Sequence, residues 1–287
     1  MTEHPITGSG RTRTARGAAR TSTGASVLRR TWSAGWPPLV AVGLVLAVWE
    51  LTALSGWKPR FLLPTPTTVL VHLYDVLRYR ETWQAIATTL LRAVAGFVLA
   101  LAIGAVVGIA VARVSVLRRG IGSLVSALQT MPSVAWFPLA LLLFGLDESA
   151  ILFVVVLGAA PSIANGFADG IATVPPHLVR VGRVIGARGV HLYTDVLLPA
   201  AMPSIVASLR QAWAFAWRSL LAGELLTTIP GKVALGQQLA FAQDNSDVGD
   251  LLADMIVLLL IGIAVDLAFR RLGAGVLRRR GLDLGRT

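Results

Sequence analysis

Charged residues interrupt one of the most apolar stretches of the chain. Arg218 and Glu224 lie within residues 200–227, where most of the other side chains are apolar. An arginine at the centre of a membrane span costs about 2.5–3.5 kcal/mol to insert, so one that is kept usually has a partner or a function. The planar guanidinium of Arg218 suits a bidentate contact with an anionic group such as a sulfonate. A structural ion pair is the alternative role for either residue.

Three further residues could contact a small molecule in the same region. Gln129 is an uncharged polar residue inside an apolar stretch, and Trp136 and Trp217 could form the walls of a cavity. Because tryptophan is also common at both membrane interfaces, ordinary packing stays open as the alternative. With Arg218 and Glu224 these residues form the predicted solute path, whereas Arg92, in an earlier apolar stretch, is interpreted as structural.

The sequence offers few other groups that could do chemistry. It has no cysteine, and its four histidines all lie in polar segments. These features exclude a thiolate metal site and a cysteine nucleophile, and they argue against haem ligation inside a helix bundle. Neither HExxH nor GxxxxGK[ST] occurs, so no zinc-protease or phosphate-binding motif is present. We therefore predict no catalytic residue, no metal and no cofactor.

The composition is that of a membrane protein. Apolar residues make up 55% of the 287 and charged residues only 14%, against about 25% charged residues in a soluble domain. A membrane-crossing helix needs about 20 apolar residues. By this criterion the sequence predicts an all-α protein with six crossings, at roughly 37–55, 84–112, 121–145, 148–170, 200–227 and 250–270.

Arginine clusters predict the orientation of these crossings. They lie in the N-terminal tail, in the loops after the second and fourth crossings, and near the C-terminus. The positive-inside rule places all four clusters in the cytoplasm, and hence both termini. The predicted organisation is a basic tail at 1–36, a transmembrane domain at 37–271 and a second basic tail at 272–287. Nucleic-acid binding is the less favoured reading of the N-terminal tail, and we predict no nucleic-acid partner.

Two shorter patterns predict local packing. Thr65 can cap a short helix that begins at Pro66, whose apolar face is expected on the outer membrane surface. The second crossing carries small residues on one face, which allow close approach of another helix. This stripe comprises Gly96, Ala100, Gly104, Gly108 and Ala112.

The segment at about 172–199 is too polar to cross a membrane and is predicted to be cytoplasmic. Residues 178–185 can form one short helix, which Gly186 can end in the left-handed conformation. Residues 190–197 are predicted to form a second short helix, after which Pro199 opens the fifth crossing. Loops usually have about 4–6 residues, so this longer, ordered segment is well placed to transmit a movement from another protein to a membrane helix.

This segment resembles the EAA loop of the permease subunits of ATP-binding cassette (ABC) importers. That pattern is Glu-Ala-Ala, three residues, Gly, nine residues, an aliphatic residue, one residue, and Leu-Pro. Gly186, Val196 and the Leu198–Pro199 pair match in register. The Glu-Ala-Ala positions hold Arg180, Val181 and Gly182 instead. The resemblance implies contact with an ATPase through these residues, together with Leu178 and Val184.

Other stretches resemble the permeases that import alkanesulfonates, taurine and nitrate. They are "FLLPTPTTVL", "TLLRAVAGF", "MPSVAWFPLALLLFGL", "NGFADGI" and "AWRSLLAGELL". The resemblance covers about residues 40–270 and implies the type I importer fold in the inner membrane. It further implies two cytoplasmic ATP-binding subunits, an external solute-binding protein and a second permease subunit, expected to be another copy of this chain. Besides these proteins, the chain would contact membrane lipid.

A secondary transporter or channel of the inner membrane is the alternative class. It would need coupling carboxylates in the middle of the membrane or an inverted repeat. The acids in the predicted crossings lie near the ends of these segments. A membrane-embedded enzyme is a further alternative, but the crossings contain no nucleophile with a base beside it.

Overall fold

The computed structural model describes residues 40–279, apart from the side chains of residues 115–119, 121 and 276–279. This part of the chain is largely helical and contains no strand. Two short segments depart from α-helical geometry, a 3₁₀ turn at Ser133–Trp136 and a π-helical segment at Leu192–Leu197. The α-helices are α1 (Val40–Leu54), α2 (Pro66–Arg78), α3 (Arg80–Arg113), α4 (Ser115–Thr130), α5 (Phe137–Phe144), α6 (Glu148–Ala172), α7 (Pro176–Val184), α8 (Leu198–Leu226), α9 (Leu235–Asp244) and α10 (Val248–Arg279).

Four helical stretches in the described residues are long and apolar enough to cross a membrane. They are α3, α6, the π segment continued by α8, and Val248–Gly275 of α10. They correspond to the second, fourth, fifth and sixth predicted crossings. The predicted first crossing corresponds to α1, a shorter apolar helix that belongs to a separate unit of the chain, which ends at Trp57. The tail predicted at 1–36 lies outside the described residues. The second predicted tail, 272–287, lies outside them from residue 280 onwards.

The predicted third crossing, 121–145, is not one continuous helix. Gly122–Thr130 and Ser133–Phe144 meet at 99°, as a broken span or a re-entrant loop. The break is at Met131, which has an extended backbone (φ −81°, ψ 132°) and precedes Pro132. A proline ring crowds the residue before it and disfavours helical geometry there. The crossing predicted at 121–145 is therefore formed by two helices, and the described residues hold up to five spans if the bent pair counts as one.

The core is formed by α3, α6 and α8, with α10 packed against them. The small stripe of α3 faces α6, and a Cβ atom added at Gly104 would lie 2.7 Å from the carbonyl oxygen of Ala160. An edge-to-face contact at 5.3 Å joins Phe97 of α3 to Trp213 of α8, and Phe269 of α10 packs on both rings. Close helix packing at the stripe is thus confirmed.

The helix α2 begins as predicted, but its apolar face contacts protein. Thr65 caps it by accepting a hydrogen bond from the backbone N–H of Thr68 at 3.4 Å. Val69 is buried, and two leucines of this face pack on α9 and α10. The expectation that this face rests on the membrane surface is therefore wrong. The packed residues are Leu73, Leu77, Leu235, Val257 and Leu258.

Candidate coupling segment and solute path

The helix α7 ends in a tight, hydrogen-bonded turn. The N–H of Ile185 donates to the carbonyl of Val181 at 3.1 Å, and the N–H of Ala187 donates to the carbonyl of Gly182 at 2.9 Å. Gly186 has φ +94°, a conformation that side chains with a Cβ rarely adopt. The left-handed conformation predicted for Gly186 is confirmed. The backbone conformation of this turn therefore explains why the EAA-like pattern has a glycine here.

The second half of the segment is not a separate short helix. The chain is helical from residue 190 and continues into α8 without a break. The π-helical turns lie directly before Pro199, and the N–H of Leu198 donates to the carbonyl of Tyr193, five residues earlier. Since a proline ring clashes with the carbonyl four residues before it in an α-helix, the wider π turns accommodate Pro199. The predicted end of the helix at 197 is thus corrected.

The two halves of the segment pack on each other at Gly182. This residue is buried, and a Cβ there would lie 2.9 Å from Cγ2 of Val196 and 3.3 Å from Cδ1 of Leu192. Leu197 lies with Ile171 at the end of α6 in the same hydrophobic cluster. The structure therefore brings together two predicted residues, Gly182 and Val196, and fixes α7 to the start of α8.

Several apolar side chains of α7 are exposed. Leu178, Val181 and Val184 are all exposed, and Val184 shows 86% of its surface. Ile185 adds a fourth exposed apolar side chain that the sequence analysis did not single out. Ile185 stands seven residues after Leu178 and four after Val181, a spacing that is typical of side chains on one helical face. Arg180 is also exposed.

A further contact joins this segment to the end of α3. The guanidinium carbon of Arg113 lies 4.1 Å above the centre of the Tyr193 ring. Such a cation–π contact is attractive within about 6 Å. The sequence marks Arg113 only as a positive-inside charge, so this contact could not be found from spacing alone.

Glu224 belongs to a buried ionic cluster. Its Oε1 atom lies 3.0 Å from Nη1 of Arg92, and its Oε2 atom accepts a hydrogen bond from Thr89 at 2.9 Å. Arg92 also forms a bidentate contact with Glu148, with both distances 2.8 Å. The Nζ atom of Lys232 lies 3.3 Å from Glu148. The structure therefore agrees with the structural role predicted for Arg92.

The same cluster removes Glu224 from any open path. The residue as a whole is 1% exposed, and its Oε2 atom also accepts the backbone N–H of Gly236 at 3.2 Å. A buried carboxylate with these partners holds helices α3, α8 and α9 together. The assignment of Glu224 to a solute path does not fit this structure.

The other predicted path residues lie on three elements. Gln129, on α4, accepts a hydrogen bond from Asn165 of α6 at 3.2 Å. Trp136 is half-buried in the 3₁₀ turn, and Trp217 stacks on a second tryptophan in the core. Arg218 is exposed and lies 5.8 Å from the centre of the Phe215 ring. Within the described residues Arg218 has no acidic partner.

A serine pair next to Arg218 ties the bent helix pair to α8. The Ser219 hydroxyl donates to Oγ of Ser133 at 2.6 Å, and Ser133 lies two residues after the break at Met131. A Cβ at Gly158 of α6 would collide with the Ser219 hydroxyl. The bend, α6 and α8 thus meet at small polar residues. Sequence reasoning missed this contact, because serines 86 positions apart carry no pairing signal.

Residues 100–280 match the family described as binding-protein-dependent transport system inner membrane component. A putative aliphatic sulfonates transport permease protein, SsuC of Escherichia coli (strain K12), is 30% identical over 236 residues, which cover 81% of this chain and 87% of that protein. The nitrate import permease protein NrtB of Synechocystis is 26% identical over 238 residues, covering 80% and 84%. In a structure of the MetNI methionine ABC transporter, a chain of similar fold has 22% identity and a TM-score of 0.54, covering 68% of this chain and 93% of that one.

Proposed function

We propose, on the premise that the chain belongs to the family of binding-protein-dependent transport system inner membrane components, that it is the permease subunit of an ATP-driven importer for a small anion. Two cytoplasmic ATP-binding subunits would hydrolyse the ATP, and an external binding protein would deliver the solute. A second copy of the chain would complete the transmembrane path.

The exposed face of α7 is the observation that carries the coupling role. Leu178, Val181 and Val184 present apolar surface on a helix that is short and solvent-facing. On the same helix the buried Gly182 contacts Val196, in the π-helical segment that precedes α8. Because packed side chains transmit displacement, a push on α7 would move α8. The segment 172–199, including Arg180, Gly186, Leu198 and Pro199, is therefore our proposed coupling loop.

The cysteine-free sequence allows a direct test of this contact. Val184→Cys should form a cross-link with a cysteine placed in the docking groove of the cognate ATP-binding subunit. Phe241→Cys is the matched control, because Phe241 is also exposed but lies on α9. Equal cross-linking of both variants would contradict docking at α7.

For the solute we propose the sulfonate, taurine or nitrate class. Two relatives bear names that refer to aliphatic sulfonates and to nitrate, and both solutes are anions. Arg218 supports this choice, since it is exposed on a membrane-spanning helix and has no acidic partner among the described residues. The proposed path combines Arg218 with Gln129, Trp136 and Trp217.

We further propose six crossings with both termini in the cytoplasm. The bent pair α4–α5 would count as one crossing and α1 as another. Reporter fusions at residues 10 and 280 should then both report a cytoplasmic location. Opposite locations would contradict the even number of crossings and the cytoplasmic placement of α7.

Uptake by the reconstituted complex tests the function as a whole. Proteoliposomes that contain the chain and its ATP-binding subunit should take up a labelled sulfonate or nitrate only with ATP and the cognate binding protein. A hydrolysis-deficient ATP-binding subunit is the control and should abolish uptake. Uptake driven by an ion gradient without ATP would instead favour a secondary transporter.

A further inference from the structure

We propose that a cavity between α2, α9 and α10 binds a divalent transition-metal cation through His72, Asp247 and Asp250. The cavity has a volume of about 640 Å³. It is lined by residues of all three helices and by Asp247, which directly precedes α10. This inference depends neither on the solute nor on the coupling role of α7.

The three proposed ligands are already close together. Nδ1 of His72 lies 2.9 Å from Oδ1 of Asp250, and one ligand atom from each of the three residues lies within 4.8 Å of the others. Metal–ligand bonds of about 2.0–2.2 Å to nitrogen and oxygen require such spacing between ligand atoms. One imidazole with two carboxylates suits ions such as Zn²⁺ or Mn²⁺ better than Na⁺ or K⁺.

The backbone holds this arrangement in position. Oδ1 of Asp247 accepts the N–H of Asp250 at 3.1 Å, which fixes one carboxylate at the start of α10. The His72 ring lies against Gly249, where an added Cβ would be 2.6 Å from Nε2. Only a residue without a side chain lets the ring approach α10 so closely, so Gly249 makes the contact between His72 and Asp250 possible.

Two oxygen groups deeper in the cavity point independently to a cation. Asp254, one helical turn after Asp250, is 4% exposed and has no hydrogen bond to any described residue. Oε1 of Gln238 on α9 is buried and has no hydrogen-bond partner. Both residues line the cavity. Because burying unpaired polar oxygens is unfavourable, a cation or its bound water in the cavity would stabilise both.

The charge around the cavity has one sign. Asp75 and Glu81 also line it, and none of its described lining residues is a lysine or an arginine. Neighbouring carboxylates repel one another, and an ion that bridges His72 of α2 to the start of α10 would offset this repulsion. We therefore expect the ion to join the two helices and to raise the thermal stability of the protein.

The test measures metal binding directly. The full chain, purified in detergent without a histidine tag and treated with EDTA, is dialysed against Zn²⁺ or Mn²⁺. Bound metal is then counted by mass spectrometry, and thermal unfolding is followed with and without the ion. We expect one ion per chain and a higher midpoint of unfolding, which EDTA reverses.

Three variants locate the site. His72→Gln and Asp250→Asn should each lower the affinity at least about tenfold, the loss typical of disturbed metal sites, and should abolish the stabilisation by metal. Asp75→Asn is the matched control, because it removes a charge from the same cavity outside the three ligands, and it should bind as the parent does. Should Asp250→Asn fail to fold, His72→Gln still tests the site, because His72 is partly exposed. Absence of stoichiometric binding, or unchanged binding by His72→Gln, would overturn the proposal.

Discussion

Arg92 of α3 and Glu224 of α8 form a buried ion pair, with 3.0 Å between Nη1 and Oε1. Their side chains are 6% and 0% exposed. A buried ion pair is maintained only when hydrogen bonds satisfy the remaining polar atoms. Thr89, Glu148 and the backbone of Gly236 provide those bonds. The pair therefore acts as a junction between α3, α6, α8 and the α9 segment.

Removal of one partner should destabilise the protein strongly. We expect Glu224→Ala to lower the free energy of unfolding by about 3–5 kcal/mol, because Arg92 would remain buried without its second carboxylate. Thermal unfolding in detergent measures the effect. The control is Arg270→Ala, which removes an exposed ion pair with Asp266 and should change stability little.

The double variant Arg92→Met with Glu224→Leu separates charge from packing. Because it removes both charges of the buried pair, it should be more stable than Glu224→Ala. If both variants were equally unstable, lost packing rather than the loss of one of the two carboxylates that bind Arg92 would be the cause.

The close packing of α3 on α6 predicts a reversal in the effect of one substitution. Alanine normally stabilises a helix interior relative to glycine by about 0.5–1 kcal/mol. At Gly108 the new Cβ would lie 2.5 Å from the carbonyl oxygen of Ala164, so Gly108→Ala should instead destabilise by about 1–3 kcal/mol. At Gly120 nothing lies within 4 Å. Gly120→Ala is the matched control and should be neutral or stabilising in the same unfolding assay.

Local features of this fold were readable from the sequence, whereas distant contacts were not. Four-residue spacing predicted the stripe that contains Gly104, and a glycine after a short amphipathic helix predicted the left-handed turn at Gly186. Arg92 and Glu224 are 132 positions apart, and no periodicity indicates that they meet. The broken crossing was missed because hydropathy ignores backbone geometry, although Pro132 carried the signal.

The turn at Gly186 predicts an effect on coupling without a loss of folding. Nothing lies within 4 Å of a Cβ at this position, so only the backbone opposes a side chain there. Gly186→Val should therefore displace α7 and reduce stimulation of the ATPase, since β-branched residues are poorly tolerated at positive φ. Gly186→Asn is the control, because asparagine tolerates this conformation better, and it should retain more stimulation. Normal stimulation and uptake with Gly186→Val would refute the proposed role.

The last prediction concerns Arg180, which stands where the EAA pattern has an acid. Arg180 is exposed on α7 beside the apolar side chains of Leu178 and Val181. We expect the groove of the ATP-binding subunit to present acidic groups or carbonyls near Arg180, and the apolar residues to provide most of the affinity. Because exposed ion pairs contribute little, Arg180→Glu should weaken assembly only about two- to fivefold.

The salt dependence of complex assembly shows whether Arg180 contacts the ATP-binding subunit or only sets the orientation of the chain in the membrane. Assembly of the parent complex should weaken as salt rises, since exposed charges are screened, whereas the Arg180→Glu complex should start weaker and change less. Val181→Asp provides the comparison: it would place an unpaired charge in the docked surface and should weaken assembly more than Arg180→Glu at every salt concentration. Arg183→Glu alters a second exposed arginine of α7 and controls for net charge. If Arg180→Glu assembles as the parent does at low and high salt, Arg180 contributes only to the orientation of the chain in the membrane.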